Sequence, residues 1–427
     1  MNLQKIFRRA VSMLFVVSIM LFAAVTHAEI YTGEGSYIMS EGENLGVSKE
    51  RAKADAMRNA AEKAGTYVKS YSRSKNFELE EDIIETMTAN ILKLVEDPKF
   101  LPYEQLDNLE GLMIRVIVKV QIDDSDIMRW LNKDDNEKST LVSQMEALRK
   151  ANEEQARQIA ELKRQLANNP NDREQITKKF EAEDKIFLSN QKLDEAAKFY
   201  YKGDYNGAIR IYDEALSLNP NNALAYYGSG LAYAQGLKQY ERAIQDYDKA
   251  IELNPNYAVA YSCRGTSYAL LGQKERAIQD FDKAIELNPK HAGAYHNRGV
   301  DYARSGQYER AIKDFDKAIE LNPKYDKAYN HRGYAYQILG QYELAIQAFN
   351  KAIELNPNYA KAYYNRGSSY GILGKYEQAI QDFNKAIELN PNNSLAYKIR
   401  GLCYQSLGDE AKAQADLAKA KELGYNG

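Results

Sequence analysis

The chain has very little cysteine, tryptophan or histidine. Its 427 residues include two cysteines, one tryptophan and four histidines. Cys263 and Cys403 are separated by four copies of the repeat described below, and packed helices stand about 8–10 Å apart. A disulfide needs Cα atoms within about 7 Å of each other. We therefore expect both cysteines to be free and to lie in the core as small apolar residues.

An excess of charge of one sign is also absent. The chain has 57 Lys and Arg against 60 Asp and Glu, and the two signs are interspersed, so the net charge is -3. A nucleic-acid-binding protein typically shows a basic stripe or patch. We therefore expect an ordinary polar surface and no nucleic-acid partner.

Catalytic motifs are missing as well. The sequence contains no Gly-x-Ser-x-Gly, no P-loop, no His-Glu-x-x-His and no cysteine pairs at zinc spacing. We therefore expect no enzyme activity, no cofactor and no metal ion. His296 and His331 fall in neighbouring repeats, and we interpret them as polar surface residues, with a shared metal site as the weaker alternative.

Long apolar runs are absent except near the N-terminus. Three cations precede the apolar run of residues 10–25, and small residues follow as far as Ala28; the cations are Lys5, Arg8 and Arg9. This order predicts a secretory signal peptide over residues 1–28. An uncleaved anchor is the alternative, although the run is slightly short for a span. We expect a mature chain without a membrane span in the periplasm of a diderm bacterium.

The second half of the chain repeats one phrase. "AIELNP" and its copies place prolines at intervals of 34 residues, at Pro255, Pro289, Pro323, Pro357 and Pro391. Between two prolines, apolar and small residues recur at helical spacing on either side of a central glycine such as Gly306. Glycine and proline are stop signals for helices, so each unit is predicted to be a helix, a turn and a second helix.

The repeat resembles the tetratricopeptide repeat (TPR). It has an aromatic residue at position 4, Gly at 8, Tyr at 11, Ala at 20, an aromatic at 24, Ala at 27 and Pro at 32. The resemblance implies a mainly α fold, an α-solenoid of about seven helix pairs. We place the units at 189–222, 223–257, 258–291, 292–325, 326–359, 360–393 and 394–425. Unit 223–257 has one extra residue, and Tyr425 replaces the proline of the last unit.

The resemblance also implies a binding surface. In the TPR family the first helix of each unit lines a groove, and positions 2, 5, 6, 9, 12 and 13 are available to a protein or peptide ligand. Carried over, these positions include Ser262, Thr266, His296, Asn297, Val300, Arg304, Lys327, Asn330, His331, Tyr334, Lys361, Tyr364, Asn365 and Ser368. Of the residues that grip chaperone carboxylates in some members, only Lys361 is matched, so we expect no cytosolic co-chaperone role.

Arginine and aspartate recur at fixed places in the repeats. Five units have Arg before the glycine of the first helix: Arg264, Arg298, Arg332, Arg366 and Arg400. Four of these units have Asp before the aromatic residue of the second helix: Asp280, Asp314, Asp382 and Asp416. We interpret the pairing as salt bridges within or between repeats, with a ligand-binding arginine ladder as the alternative.

Residues 141–166 carry a heptad pattern. Apolar residues fall at alternating steps of four and three, with Asn152 and Gln155 at the middle positions. This pattern predicts a short coiled coil, and a single Asn at such a position typically fixes the register and the number of strands. We therefore expect a homodimer or homotrimer through 141–166. The alternative is one amphipathic helix that packs on its own chain.

Residues 29–131 differ from the repeats. Their pattern predicts the order β-α-α-β-β, with a long helix capped by Ser48 and an alternating apolar strand at 111–123. The segment resembles the N-terminal domain of flagellar assembly protein T and related small envelope lipoproteins. The resemblance implies an α+β domain of the bacterial envelope, without transferring a flagellar role.

These patterns together predict the organisation and role of the chain. The predicted segments are a signal peptide (1–28), an α+β domain (29–131), a coiled-coil or linker helix (132–170), a helical lead-in (171–188) and a TPR solenoid (189–425). We expect an exported, non-enzymatic adaptor in envelope biogenesis or assembly. The alternatives are a structural component of a surface appendage or flagellar envelope complex, and an enzyme with its activity in 29–131.

Overall fold

The structure is a computed structural model that describes most of the chain. The described residues are 28–40, 43–74, 84, 87–89, 91–102, 104–105, 111–131, 135–168 and 172–425. The predicted signal peptide lies outside them, apart from Ala28. The chain forms two compact units, Met1–Gly228 and Ser229–Gly427. None of the helices within the described ranges is both long enough and apolar enough to cross a membrane.

An antiparallel sheet forms the beginning of the first unit. Its strands are β1 (Ala28–Ser40), β2 (Lys93–Leu94), β3 (Lys99–Phe100), β4 (Glu104–Gln105) and β5 (Gly111–Asp123). β1 pairs with β5 along its whole length, from Ala28 opposite Asp123 to Ser40 opposite Gly111, and β2, β3 and β4 also pair with β5. Every second residue of β5 from Ile114 to Ile122 is buried. The predicted alternating strand is therefore confirmed.

A long helix covers one face of this sheet. Helix α1 (Leu45–Ser74) packs on β1 and β5 and buries a stripe with a spacing of four residues: Ala52, Ala56, Ala60, Ala64 and Val68. The predicted capping residue was wrong, because Ser48 lies inside the helix. Asn44 caps the helix instead, and its Oδ1 accepts hydrogen bonds from the backbone N–H groups of Gly46 (2.8 Å) and Val47 (3.2 Å).

The heptad segment packs within its own chain. A short helix α2 (Asp124–Leu131) is followed by α3 (Asp135–Asn168) and α4 (Arg173–Tyr201). The apolar residues of α3 and α4 form one cluster, which consists of Ile159, Leu162, Leu166, Ile176 and Phe180. Within the described residues the seam is thus covered by α4, as in the alternative of a single amphipathic helix. The side chains of Leu141 and Met145 lie outside the described set.

Polar residues of the seam also pair with α4. The side chain of Gln155 donates to the carbonyl oxygen of Glu183 at 2.7 Å, and the side chain of Asn190 donates to Asn152 Oδ1 at 3.0 Å. The predicted register residue Asn152 therefore has a partner in its own chain. α4 continues without a break to Tyr201, so the predicted lead-in (171–188) and the first helix of unit 189–222 are one helix.

A buried ion cluster joins the sheet to these helices. The side chain of Glu43 is fully buried and accepts from the Tyr37 hydroxyl at 2.5 Å, and it pairs with Arg51 (3.2 Å) and Lys163 (3.1 Å). Arg51 also pairs with Asp184 at 3.0 Å. The cluster connects β1, α1, α3 and α4. Buried charges need such partners because each ion loses its hydration, so these elements hold one another in place.

The remaining helices form the predicted hairpins. The first unit adds α5 (Tyr205–Leu218), and α6 (Ala223–Leu231) leads into the second unit. The second unit is a solenoid made of α7 (Tyr240–Leu253), α8 (Ala258–Leu270), α9 (Lys274–Leu287), α10 (Ala292–Arg304), α11 (Tyr308–Leu321), α12 (Asp326–Ile338), α13 (Tyr342–Leu355), α14 (Ala360–Ile372), α15 (Tyr376–Leu389), α16 (Ser394–Ser406) and α17 (Glu410–Glu422). These bounds confirm the helix–turn–helix pattern.

The extra residue of unit 223–257 is absorbed by a π-helical turn. Residues Ala232–Gly236 form this turn, and the N–H of Leu237 bonds to the carbonyl of Ala232, five residues earlier. In the five units that follow, the turn between the two helices contains glycine at positive φ, for example Gly306 at 76°. Here Lys238 takes that conformation at 55°. The insertion therefore changes one turn and leaves the hairpin intact.

The predicted salt bridges occur both within and between repeats. Arg298 donates to Asp314 of its own unit at 2.8 and 2.7 Å, and to Asp282 of the preceding unit at 2.6 Å. The guanidinium groups of Arg264, Arg366 and Arg400 make the same fork with their own aspartates. The interpretation of these arginines as salt-bridge partners within and between repeats is therefore confirmed.

Candidate functional site

The first helices of consecutive hairpins form one continuous surface in the second unit. α8, α10, α12, α14 and α16 contact each other in sequence, whereas successive second helices contact each other less. The stack therefore curves toward the first helices. We call the surface formed by positions 2, 5, 6, 9, 12 and 13 of these five helices the inner face.

The fourteen predicted ligand-binding residues divide into exposed, half-buried and buried residues. Arg304, Tyr334 and Lys361 are exposed, and Thr266, Asn297, Val300, Lys327, His331, Tyr364 and Ser368 are half-buried. Four others are buried: Ser262, His296, Asn330 and Asn365. Positions 5 and 6 are covered by the next hairpin. His296, Asn330 and Asn365 bond to side chains of neighbouring first helices and do not face a ligand.

A chain of hydrogen bonds crosses three repeats beneath the inner face. Asn297 Nδ2 donates to Thr266 Oγ1 at 3.2 Å, so its Oδ1 is free to accept from His296 Nδ1 at 3.1 Å. His296 Nε2 then carries the lone pair and accepts from His331 Nδ1 at 2.9 Å. The donor and acceptor roles of the two rings depend on their tautomers, but one of the two facing nitrogens must keep its lone pair, so both imidazoles cannot be protonated at once.

The next repeat junction has a homologous pair that cannot titrate. Asn365 Nδ2 donates to Asn330 Oδ1 at 3.1 Å, and these residues occupy the same repeat positions as His331 and His296. Both asparagines are buried. Equivalent positions at the two junctions are therefore filled by side chains of different chemistry. Of these two pairs, only the histidines change their protonation with pH.

The histidine pair is expected to make the repeats sensitive to acid. Burial lowers the pKa of His296 to about 4; burial, and then the charges of His296, Lys361, Arg304 and Lys327, lower the pKa of His331 to about 3. In the unfolded chain both pKa values are about 6.5. Between these values the unfolded chain binds more protons than the folded chain. Stability is therefore fully present above pH 6.5 and falls as the pH drops toward 4.

We expect the free energy of unfolding to fall by on the order of 1–2 kcal/mol for each histidine between pH 7 and pH 5. Thermal unfolding of the protein across this range measures it. The matched control is the double variant His296→Asn/His331→Asn, which copies the neighbouring Asn330–Asn365 pair and should flatten the profile. If this variant loses as much stability at low pH as the wild type does, groups other than the two histidines cause the acid sensitivity.

The inner face carries charge of one sign. No inner-face position holds Asp or Glu, whereas four hold basic residues: Arg304, Lys327, Lys361 and Lys398. The nearby carboxylate of Asp301 is buried, 3.7 Å from Arg304. The second helices differ, because their lysines pair with glutamates three residues later, as Lys317 does with Glu320 at 2.6 Å. A chain with a net charge of -3 thus presents a basic inner face.

A shallow apolar cavity of about 240 Å³, largely open to solvent, lies on the inner face between α14 and α16. It is lined by Ser368, Gly371, Ile372, Ile399, Leu402 and Cys403. Ile372 and Leu402 are 57% and 42% exposed, which leaves an apolar rim in contact with solvent. Sequence reasoning missed this cavity. Its signal is Gly371, the only glycine at position 12 among the five first helices.

The cysteines and histidines do not form a metal site in the described part of the chain. No group of three or more His, Cys, Asp and Glu side chains there could hold a metal ion. Cys263 and Cys403 are free, as predicted; Cys403 is buried and Cys263 is half-buried. The chemistry that the inner face offers is therefore apolar burial, hydrogen bonding and positive charge.

Family models match the repeats over more than half of the chain. Models described as "Tetratricopeptide repeat" and "TPR repeat" together span residues 196–415. The first matches 258–291, 292–325, 326–359 and 360–393, the same bounds that the proline spacing predicts. The others match 196–236, 237–272 and 383–415. No curated protein matches the chain.

Several solved structures resemble the repeat region. MamA is 32% identical, and the match covers 39% of this chain and 96% of MamA with a TM-score of 0.35. YrrB, described as a TPR protein with an unusual peptide-binding site, is 27% identical over 43% of this chain and 95% of its own, with a TM-score of 0.37. A tetratricopeptide repeat protein from Parabacteroides merdae is 25% identical over 56% of this chain and 94% of its own, with a TM-score of 0.44.

Proposed function

Because the chain belongs to the tetratricopeptide-repeat proteins, we propose that it is a non-enzymatic adaptor that binds protein or peptide partners on its inner face. The observation that supports this role most directly is the exposed apolar surface on helices whose other faces are packed. Tyr334, Ile338 and Ile372 are 43%, 48% and 57% exposed on neighbouring first helices. Clustered apolar side chains on a surface typically mark a binding site.

We propose that the adaptor acts outside the cytoplasm. The cations, apolar run and small residues of residues 1–28 support export, and they lie outside the described residues apart from Ala28. The resemblance of residues 29–131 to envelope proteins supports a role in envelope biogenesis or assembly. N-terminal sequencing of the protein from fractionated cells tests the export proposal: a start at Glu29 supports it, and a cytosolic chain starting at Met1 contradicts it.

Replacing exposed apolar residues of the inner face should weaken partner capture without loss of stability. The variant is Tyr334→Ala/Ile338→Ser, and it should capture its crosslinked partners from native-cell extract about tenfold less well, because a few central residues carry most of the binding energy. Its melting temperature should change little, since exposed substitutions usually alter stability by less than about 0.5 kcal/mol.

The matched control is Leu344→Ala. Leu344 is 43% exposed, like Tyr334, but it belongs to the second helix of the same hairpin. This variant should capture partners as the wild type does. If the two variants lose capture equally, or if neither does, the inner face is not the binding surface.

A further inference from the structure

Gly371 has no structural reason to be glycine. It lies inside α14 without a positive φ, and a Cβ at this position would meet only Cys403 Sγ at 3.7 Å and Ala379 Cβ at 4.0 Å. Both are ordinary contact distances. The homologous residues in the other four first helices are Ala269, Ala303, Gln337 and Gln405. Glycine within a helix costs about 1 kcal/mol relative to alanine, so the chain keeps a destabilising residue that its own packing does not need.

The consequence of this glycine is the apolar cavity on the inner face. Glycine contributes no side chain, so the wall beside it is open, and the cavity is bounded by Ile372, Ile399, Leu402 and Cys403. Apolar side chains such as Leu or Phe release about 1.5–3 kcal/mol when they are fully buried. The cavity is therefore suited to one apolar side chain of a partner.

Two basic residues of the inner face restrict the partner further. Lys398 precedes Leu402 by one helical turn on α16, and Lys361 lies on α14, the helix that carries Gly371. Lys398 bonds to the hydroxyl of Tyr425 and lies 4.3 Å from its ring centre, so its position is fixed by the tyrosine, and no carboxylate of residues 28–425 that the structure describes forms an ion pair with it. A basic surface without acidic positions repels basic peptides and attracts acidic ones.

We infer that the inner face binds an acidic peptide segment of a partner protein and that one apolar side chain of this segment enters the cavity beside Gly371. The inference rests on the proposed adaptor function and names its class of partner. Carboxylates of the segment lie near Lys361 and Lys398, and its apolar side chain contacts Ile372 and Leu402. On the second helices the lysine of each i,i+3 pair is bound to a glutamate, as Lys317 is to Glu320, so these helices lack the combination of a cavity and unpaired lysines.

The test starts with a random peptide library displayed on phage and selected on the full chain. The expected peptides have more Asp and Glu than Lys and Arg, and they carry one Leu, Ile, Met or Phe at a constant place. A representative labelled peptide is then measured by fluorescence anisotropy. Replacing its apolar residue with alanine should weaken binding about tenfold, which corresponds to about 1.4 kcal/mol.

Variants of the chain locate the peptide. Gly371→Leu fills the cavity and should weaken binding about tenfold, whereas Gly371→Ala adds one methyl group and should weaken binding much less. Lys361→Glu should weaken binding several-fold at low salt and less at high salt. Lys313→Glu, an exposed lysine on α11, is the matched control and should have no effect. Melting curves of all four variants confirm that they are folded.

Three results would overturn the inference. They are the selection of basic or neutral peptides or of none, equal affinity of Gly371→Leu and Gly371→Ala, and tighter binding of single-stranded DNA or phosphatidylglycerol vesicles than of any selected peptide. The proposed function is judged separately. If the Tyr334→Ala/Ile338→Ser variant loses its cellular partners while these peptide tests fail, the adaptor role stands and the assigned class of partner does not.

Discussion

Replacing Gly33 with alanine should lower the unfolding free energy of the N-terminal sheet by more than about 3 kcal/mol. A Cβ at this position would lie 2.0 Å from the carbonyl oxygen of Ala56 and 2.8 Å from the Cβ and the backbone nitrogen of Ala60. These atoms belong mostly to the backbone of α1, which cannot turn aside as a flexible side chain can. The helix would have to move away from β1 and lose the buried alanine stripe.

The change can be followed without separating the two units of the chain. Trp130 is the only tryptophan of the protein and is fully buried in α2, within the first unit. Its fluorescence therefore reports on the first unit alone, while circular dichroism reports on the helices of both units. The expected result is a large shift of the fluorescence transition and a shift of only the part of the helical signal that comes from the first unit.

The control for Gly33→Ala is Gly65→Ala in α1. A Cβ at Gly65 would meet Ile84 Cγ2 at 3.8 Å and Thr88 Oγ1 at 3.9 Å, which are normal contacts. Alanine is a better helix former than glycine by about 1 kcal/mol, so this variant should unfold at a higher temperature than the wild type. Transitions of Gly33→Ala and Gly65→Ala that coincide would show that α1 does not lie as close to β1 as the structure indicates.

The repeats could be predicted from the sequence because each hairpin obeys local rules. Apolar spacing fixes the two helices, and turn glycine and proline fix their ends. Contacts between hairpins then follow from repetition, since each repeat packs only on its neighbours. The fork made by Arg298 illustrates this, because its partners Asp282 and Asp314 lie sixteen residues before and after it.

The heptad segment shows where such prediction stops. The apolar pattern identified the buried face of α3 correctly, since Ile159 and Leu162 are buried. A pattern of this kind does not say what covers that face. The covering residues Ile176 and Phe180 belong to α4, and the sequence assigned this part of α4 to a helical lead-in before the repeats. Self-association through 141–166 therefore has no uncovered seam among the described residues of that stretch.

The sequence predicted which positions form the inner face but not which of their side chains are buried. The family positions lie on the first helices of the hairpins, but His296 and Asn365 are bonded to neighbouring repeats and are buried. Whether a polar side chain at position 5 or 6 faces solvent depends on the residue opposite it in the next repeat. The cavity beside Gly371 depends in the same way on α16, so the glycine at position 12 marks its place but does not by itself show that the cavity is open.

One of the five repeat arginines, Arg332, lacks the aspartate partner in its own unit, and supplying this partner should stabilise the repeats. In unit 326–359 the acidic position is occupied by Ala348, so Arg332 keeps only the bond to Asp316 of the preceding unit, at 2.7 Å. Arg332 Nε is buried and makes no hydrogen bond in the described structure. The variant Ala348→Asp should complete the fork and raise stability by about 1 kcal/mol, because a charge-assisted bond contributes about 1.5–3 kcal/mol, less the desolvation of the carboxylate.

Removing the aspartate of an existing fork should have the opposite and larger effect on stability. Asp314 is 6% exposed and receives two bonds from Arg298, so Asp314→Ala leaves a half-buried guanidinium without its fork. Breaking a buried pair typically costs 3–5 kcal/mol, and we expect about 3 kcal/mol, since Asp282 still bonds to Arg298. At about 2–4 °C per kcal/mol for a unit of this size, thermal unfolding separates the two variants clearly. Ala348→Asp should melt above the wild type and Asp314→Ala well below it. Equal melting temperatures for all three proteins would mean that the arginine–aspartate forks contribute nothing to the stacking of the repeats.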